Sequence, residues 1–165
     1  MTKVVQSLHN FVSTKTNKMA TRTFIGKNNP ELYKAMADLD KAVHAAGIDK
    51  WHHELIKISA SHFNGCAYCV DKHTQDALSL DIPVRKIILI PVWHEATDHF
   101  TAEEQLILQL TKAVTFIHEH GIADELYDEC LRVFGEDYTA KLIAAATVIN
   151  TWNRVGVSFK LQPKF

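Results

Sequence analysis

No apolar run in this 165-residue chain approaches the roughly 20 residues that a membrane-spanning helix requires. The longest near-continuous ones, Ile87 to Trp93 and Leu142 to Ile149, are interrupted by Pro91 and Thr147, so no transmembrane helix and no membrane partner are expected. Cysteine is scarce and odd in number. Cys66, Cys69 and Cys130 cannot build a disulfide framework, which points to a reducing, cytoplasmic compartment with thiols kept for chemistry. Neither sign of charge prevails: 18 Lys and Arg face 19 Asp and Glu, for a net charge of -1, so no broad field draws the chain to nucleic acid. Acidic residues are missing altogether from Met1 to Pro30, where Lys3, Lys15, Lys18, Arg22 and Lys27 lie among seven Ser and Thr. With a single Arg and no long apolar stretch, that leader does not read as a secretory signal. It reads as a flexible arm, with Met19 as an alternative start.

What remains is ordinary for one globular domain, 47% hydrophobic and 22% charged, and long enough to bury a core. The pattern along it is helical. Gly47, Gly65, Gly121 and Gly135 fall where apolar 3-4 spacing stops, as C-terminal helix caps do. Asn29 and Pro30 open a first helix whose Leu32, Met36, Leu39, Val43 and Ala46 form a stripe expected to face the core. A second runs from Asp49 to Gly65 with Trp51, Leu55, Ile58 and His62 on one stripe and Glu54 among them. A third opens at the cysteines and aligns Cys66, Cys69, Val70, His73, Ala77 and Leu80 before Asp81-Ile82-Pro83. A fourth, Val84 to about His94, must kink or break at Pro91. Thr101 and Glu104 form a capping-box signature for a fifth helix reaching Gly121, with Leu106, Leu110, Val114 and Ile117 inward. A sixth spans Asp124 to Phe134, and a seventh from about Asp137 aligns Leu142, Ala146, Ile149 and Asn153. Period-two alternation is nowhere sustained, so the expected class is all-α with about seven helices.

Cys66 and Cys69 stand three residues apart at a helix N-terminus, where unpaired N–H groups favour a thiolate, and a disulfide between them needs only modest distortion of the first turn. His73, four residues after Cys69, projects from the same face and is placed to take a proton from its thiol. If the helices flanking Gly65 form an antiparallel hairpin, Glu54 lies opposite position 76, within about a turn of His73. The order Glu54, His73, Cys69, Cys66 then reads as carboxylate, base, attacking thiol and resolving thiol.

A zinc site made of Cys66, Cys69, His73 and His62 is the competing arrangement, though no second C-x-x-C or histidine knuckle follows. No strand precedes Cys66, which excludes a thioredoxin-like context, and the absence of histidine after Cys69 excludes covalent haem. Cys130, on one face with Leu126 and Val133, reads as a buried structural thiol. His52, His53, His94, His99, His118 and His120 show no ligand spacing and receive no role. Asn153, on an apolar stripe, needs amide partners that either the chain itself or a neighbouring subunit could supply.

Glu54 to Ile58, Asn64 to Cys69 and His73-Thr74, with the spacing E-x11-C-x-x-C-x3-H, closely resemble the AhpD-like alkylhydroperoxidase and carboxymuconolactone decarboxylase family. Pro30 to Met36, Val92 to Ala96 and Ile149 to Arg154 resemble it in the same order, over about residues 20–165. Met19 to Arg22 resembles the usual family start, which makes residues 1–19 an extension and 20–165 the domain. The resemblance implies an AhpD-like helical fold assembled as a homotrimer or homohexamer. It implies a thiol peroxidase acting on alkyl hydroperoxides in antioxidant defence, with Cys69 attacking, Cys66 resolving, and Glu54 and His73 relaying protons. It calls for no cofactor and no metal, only an external dithiol reductant of lipoyl or thioredoxin type. Some relay-bearing members carry histidine before the second cysteine, where this chain has Tyr68. The decarboxylase branch generally lacks the cysteine pair, so lactone chemistry is the lesser alternative, beside a redox-sensing or disulfide-exchange role.

Overall fold

Short-range signals set most of the helix ends. The computed structural model describes residues 22–164; the extension expected at 1–19 lies outside the described residues. Among these there are eight α-helices, two 3-10 turns and no strand. They are α1 (Ile25–Asn28), α2 (Pro30–His44), α3 (Lys50–Phe63), α4 (Ala67–Leu78), α5 (Val84–Leu89), α6 (Ala102–Thr115), α7 (Ile117–His120) and α8 (Asp124–Ser158), with the 3-10 turns Ile90–Glu95 and Thr97–His99 between α5 and α6. Asp49 caps α3 by accepting from the N–H groups of Trp51 and His52 at 2.9 and 3.1 Å. Thr101 and Glu104 complete the reciprocal capping box of α6. Pro91 ends α-helical geometry one turn early: α5 stops at Leu89 and the chain continues as a 3-10 turn with a non-helical Val92. The sixth and seventh predicted helices are joined as α8, with the backbone broken at Gly135, whose φ of 75° suits a residue without a Cβ.

The fifth predicted helix does not reach Gly121 intact: α6 ends at Thr115, Phe116 leaves helical geometry, and Ile117, expected inward, starts α7 at 58% exposure. Three further expectations are corrected. Asn29 does not cap α2 with its side chain; it closes α1 through its backbone N–H to Ile25, and that backbone conformation carries Pro30 into the next helix. The acid-free arm is folded over its last residues, for Phe24 packs edge-on against Tyr33 and Phe159. The third concerns α2. Its stripe does not all face inward, because Leu32 and Leu39 are 59% and 54% exposed while Val43 is buried. The helix is rotated so that Tyr33 meets Trp152 of α8 at 5.4 Å between ring centroids. The larger aromatic surface outweighs two leucines in choosing the face.

Helix α3 is the axis of the fold, packed against α4, α6 and α8. Every residue from His53 to Ser61 is buried, more than a one-sided stripe predicts, because neighbours cover it on three sides. Leu55, Ile56 and Ile58 meet Ile107, Leu108 and Leu110 of α6 and Leu142, Ala146 and Ile149 of α8 in one apolar core. Cys130 lies in that core, and burial pushes its thiol up to about 11, as expected of an inert structural cysteine.

Candidate functional site

The turn between α3 and α4 is fixed from beneath by buried amides. Asn64 donates to the backbone oxygen of Ala60 and to the side-chain oxygens of Asn150 and Asn153, all at about 3 Å. Asn153 donates to Ser61 Oγ at 2.9 Å, and Asn150 to Thr115 Oγ1 at 3.0 Å. The partners of Asn153 therefore come from its own chain. Gly65 then turns the backbone at a φ of 64°, a left-handed conformation that costs a larger residue strain. The N–H of Cys66 bonds back to Ser61 O.

Cys66 occupies the N-cap of α4, and its sulfur accepts from the N–H of Cys69 at 3.3 Å. The two cysteines are joined as a disulfide with their Cα atoms 5.3 Å apart. Both are buried. Of the two, Cys69 lines a cleft of about 840 Å3 between α2, α4, α8 and the C-terminal tail, and Cys66 does not. Tyr33, Trp152 and Leu161 border this cleft on its apolar side; Lys57, His73 and Asp76 border it on its polar side.

Beside the cysteines, the antiparallel hairpin brings together the positions that symmetry about Gly65 pairs. His73 Nδ1 lies 3.0 Å from Glu54 Oε2 and 3.3 Å from Asp76 Oδ2. Two carboxylate oxygens at one ring nitrogen require that nitrogen to donate, so Nδ1 carries a proton, and the tautomer that serves as a base has its lone pair on Nε2. Lys57, one turn along α3, donates to the other oxygen of Glu54 at 2.9 Å. Burial alone would raise the Glu54 carboxyl, but the His73 hydrogen bond and the Lys57 charge outweigh it and hold the group at about 2. Asp76 is half-exposed and accepts from Lys72 at 2.8 Å, so the cluster runs from the core to solvent. His53, also buried, is pushed down to about 4 by burial and then by the Lys57 charge.

Glu54, His73 and Asp76 form the one convergent set of three or more potential metal ligands among the described residues. The zinc arrangement of Cys66, Cys69, His73 and His62 is not assembled: the cysteines are bonded to each other, and His62 stands outside the convergent set. The Lys57 ammonium against Glu54 occupies the electrostatic position a cation would take. His94, His99, His118 and His120 are exposed and outside this cluster.

Sequence reasoning placed Glu54, His73 and both cysteines but passed over Lys57, Asp76, Trp152 and Gly156. Lys57 carried a signal, since a lysine three residues after a glutamate inside an apolar helix implies a buried pair. Gly156 carried one too, being a glycine within a helical pattern with no cap to make. A Cβ built on it would lie 2.6 Å from Cys66 Sγ and 3.4 Å from Cys69 Sγ.

An all-helical domain with a C-x-x-C disulfide opening a central helix, flanked by a buried carboxylate and imidazole, is AhpD-like in architecture. The chain belongs to the carboxymuconolactone decarboxylase family, whose model matches residues 30–113. An uncharacterized protein, YdfG of Bacillus subtilis (strain 168), is 34% identical over 129 residues, covering 78% of this chain and 87% of its own. The crystal structure of ATU0492 from Agrobacterium tumefaciens, a protein of unknown function provisionally assigned to antioxidant defence as AhpD, superposes with a TM-score of 0.84 at 34% identity, over 88% of this chain and 99% of that one. The debrominase Bmp8 shares the fold at a TM-score of 0.70 and 22% identity, over 85% of this chain and 74% of that one. A cysteine-to-alanine variant of Bmp8 has been crystallised with 2,3,4-tribromopyrrole; it also gives a TM-score of 0.70, at 21% identity over 84% of this chain and 73% of that one.

Proposed function

We propose that this protein is a thiol-dependent peroxidase that reduces organic hydroperoxides through Cys66 and Cys69. The observation that supports this most is the placement of Cys69, which borders the same cleft as His73 while Cys66 does not. In the reduced protein His73 Nε2 takes the Cys69 thiol proton, with Glu54 fixing the ring through Nδ1. The Cys69 thiolate attacks the terminal peroxide oxygen; the O–O bond breaks, the alkoxide takes a proton from His73 and leaves as alcohol, and Cys69 becomes a sulfenic acid. The Cys66 thiol attacks that sulfur, water leaves, and the disulfide forms.

An external dithiol of lipoyl or thioredoxin type returns the pair to the reduced state by taking over the disulfide. Neither a cofactor nor a metal enters any step. In this reading the protein works in the cytoplasm as a homotrimer or homohexamer; no helix of the described residues is long and apolar enough to cross a membrane. The test is a free-thiol titration of reduced protein with one equivalent of cumene hydroperoxide, with intact mass read alongside. Loss of two thiols, absent in Cys66→Ser and Cys69→Ser variants, is the expected result; full peroxide consumption by Cys69→Ser refutes the assignment.

The aromatic border of the cleft, Tyr33 and Trp152, favours a second reading in which the pair reduces a carbon–bromine bond on an aromatic ring, the activity that names Bmp8. Two thiols would become a disulfide while the ring exchanges bromine for hydrogen and hydrogen bromide is released. Bromide release from 2,3,4-tribromopyrrole, with no thiol loss to cumene hydroperoxide, would select it.

A further inference from the structure

We infer that Gly156 is the positioning residue that lets the Cys66–Cys69 pair close into a disulfide and so sets its redox poise. The proposal rests on the redox reading of the pair but not on the identity of the oxidant. Gly156 lies in α8, two residues before its end. Its backbone is not in the left-handed region, where Gly47, Gly65, Gly121 and Gly135 are found, so conformational freedom does not explain a glycine here. Space does. A Cβ at this position would stand 2.6 Å from Cys66 Sγ and 3.4 Å from Cys69 Sγ, and the first of these is well inside the contact distance of carbon and sulfur.

Neither side of this contact can yield cheaply. The Cys66 sulfur is tied covalently to Cys69, accepts the Cys69 N–H, and belongs to a turn anchored through the Cys66 N–H to Ser61. On the opposite side, α8 is held by Asn153 on Ser61 and Asn64 and by Trp152 on Tyr33, while the Gly156 oxygen accepts from Leu161 N at 2.9 Å. In the dithiol form the Cys66 side chain is free to rotate about its Cα–Cβ bond and relieve the contact; in the disulfide it is not. A methyl group at 156 therefore penalises the oxidised state more than the reduced one, although alanine is by itself a better helix former than glycine.

The test is the equilibrium of the pair with a small dithiol, dithiothreitol, in parent and Gly156→Ala proteins, read by alkylation and mass. The variant is expected to favour the dithiol by roughly ten- to a hundredfold. Urea unfolding of the fully reduced variant should show it at least as resistant as the reduced parent, which separates this effect from a folding defect. In a Cys66→Ala background the same substitution should leave unfolding unchanged or slightly improved, because the sulfur it meets is gone. An unchanged dithiol equilibrium overturns the inference, as does equal destabilisation in both backgrounds. Because no peroxide is present, a failed peroxidase assay leaves this result standing, and a failed equilibrium shift leaves the peroxidase reading standing.

Discussion

Replacing His53 probes how strongly the surroundings of the site oppose positive charge. This ring is buried in α3, with Lys57 and Glu54 on its own helix, His73 on α4 and His44 on α2 facing it. Burial is the largest influence, Lys57 adds to it, and Glu54 opposes it, leaving His53 at about 4 against an ordinary 6.5. In the unfolded chain the ring binds a proton near 6.5, and in the folded protein only near 4. Between those values the unfolded state therefore holds more protons, and folding stability falls as pH falls. The slope approaches about 1.4 kcal/mol per pH unit, and the total is about 3 kcal/mol, complete near pH 4 and absent above about pH 7.

Urea unfolding of parent and His53→Gln proteins at intervals from pH 7.5 to 4 measures this directly. Whatever packing the substitution disturbs shifts both ends of the variant's curve alike, so the difference in slope isolates the titration. The parent should lose about 3 kcal/mol more than the variant over this range, and the His53 ring protons should hold their neutral chemical shifts until near pH 4. Parallel curves, or a His53 titration centred near 6.5, would refute the reasoning.

Glu54→Gln removes the carboxylate that orients His73, and peroxide turnover should fall roughly a hundredfold with circular dichroism unchanged; near-parental turnover would remove Glu54 from the relay. The same variant should lack the acid-induced loss of stability between pH 4.5 and about 2, which the depressed Glu54 carboxyl contributes in the parent. Asn153→Ala strands Ser61 and Asn64 without their amide partner and should cost about 2 kcal/mol in urea unfolding while sedimentation shows an unchanged assembly mass. Leu108→Ala, at a fully buried position between helices, should cost about 3 kcal/mol, measured by the shift in unfolding midpoint.

Helix ends were legible because they are local. A capping box needs only Thr101 and Glu104, a stop needs only Gly135 or Pro91, and none depends on what lies across the fold. The Glu54–His73 approach was legible for a related reason: one tight turn at Gly65 makes two helices antiparallel, and counting eleven residues each way from the glycine pairs position 54 with 76. The same count reaches Asp76 itself, whose carboxylate joins Glu54 at the His73 ring. The inward face of α2 was not legible, since Leu32 and Leu39 at helical spacing look like a core stripe until Trp152, more than a hundred residues away, selects Tyr33 instead. The ambiguity at Asn153 was of the same kind, for its partners Ser61 and Asn64 belong to another helix and its following turn.

By itself, then, the sequence determined an all-helical chain, most of its helix boundaries, and a cysteine pair with a histidine one turn on and a carboxylate eleven residues before the turn. These follow from periodicity, capping and one hairpin, all interactions between residues close in sequence or joined by a single turn. Tertiary structure decided which cysteine borders the cleft, that Glu54 and its neighbours are buried on every side of α3, and why a helix end approaching the disulfide carries no side chain. Each of those depends on surfaces brought together from distant parts of the chain, where burial and contact rather than spacing set the outcome.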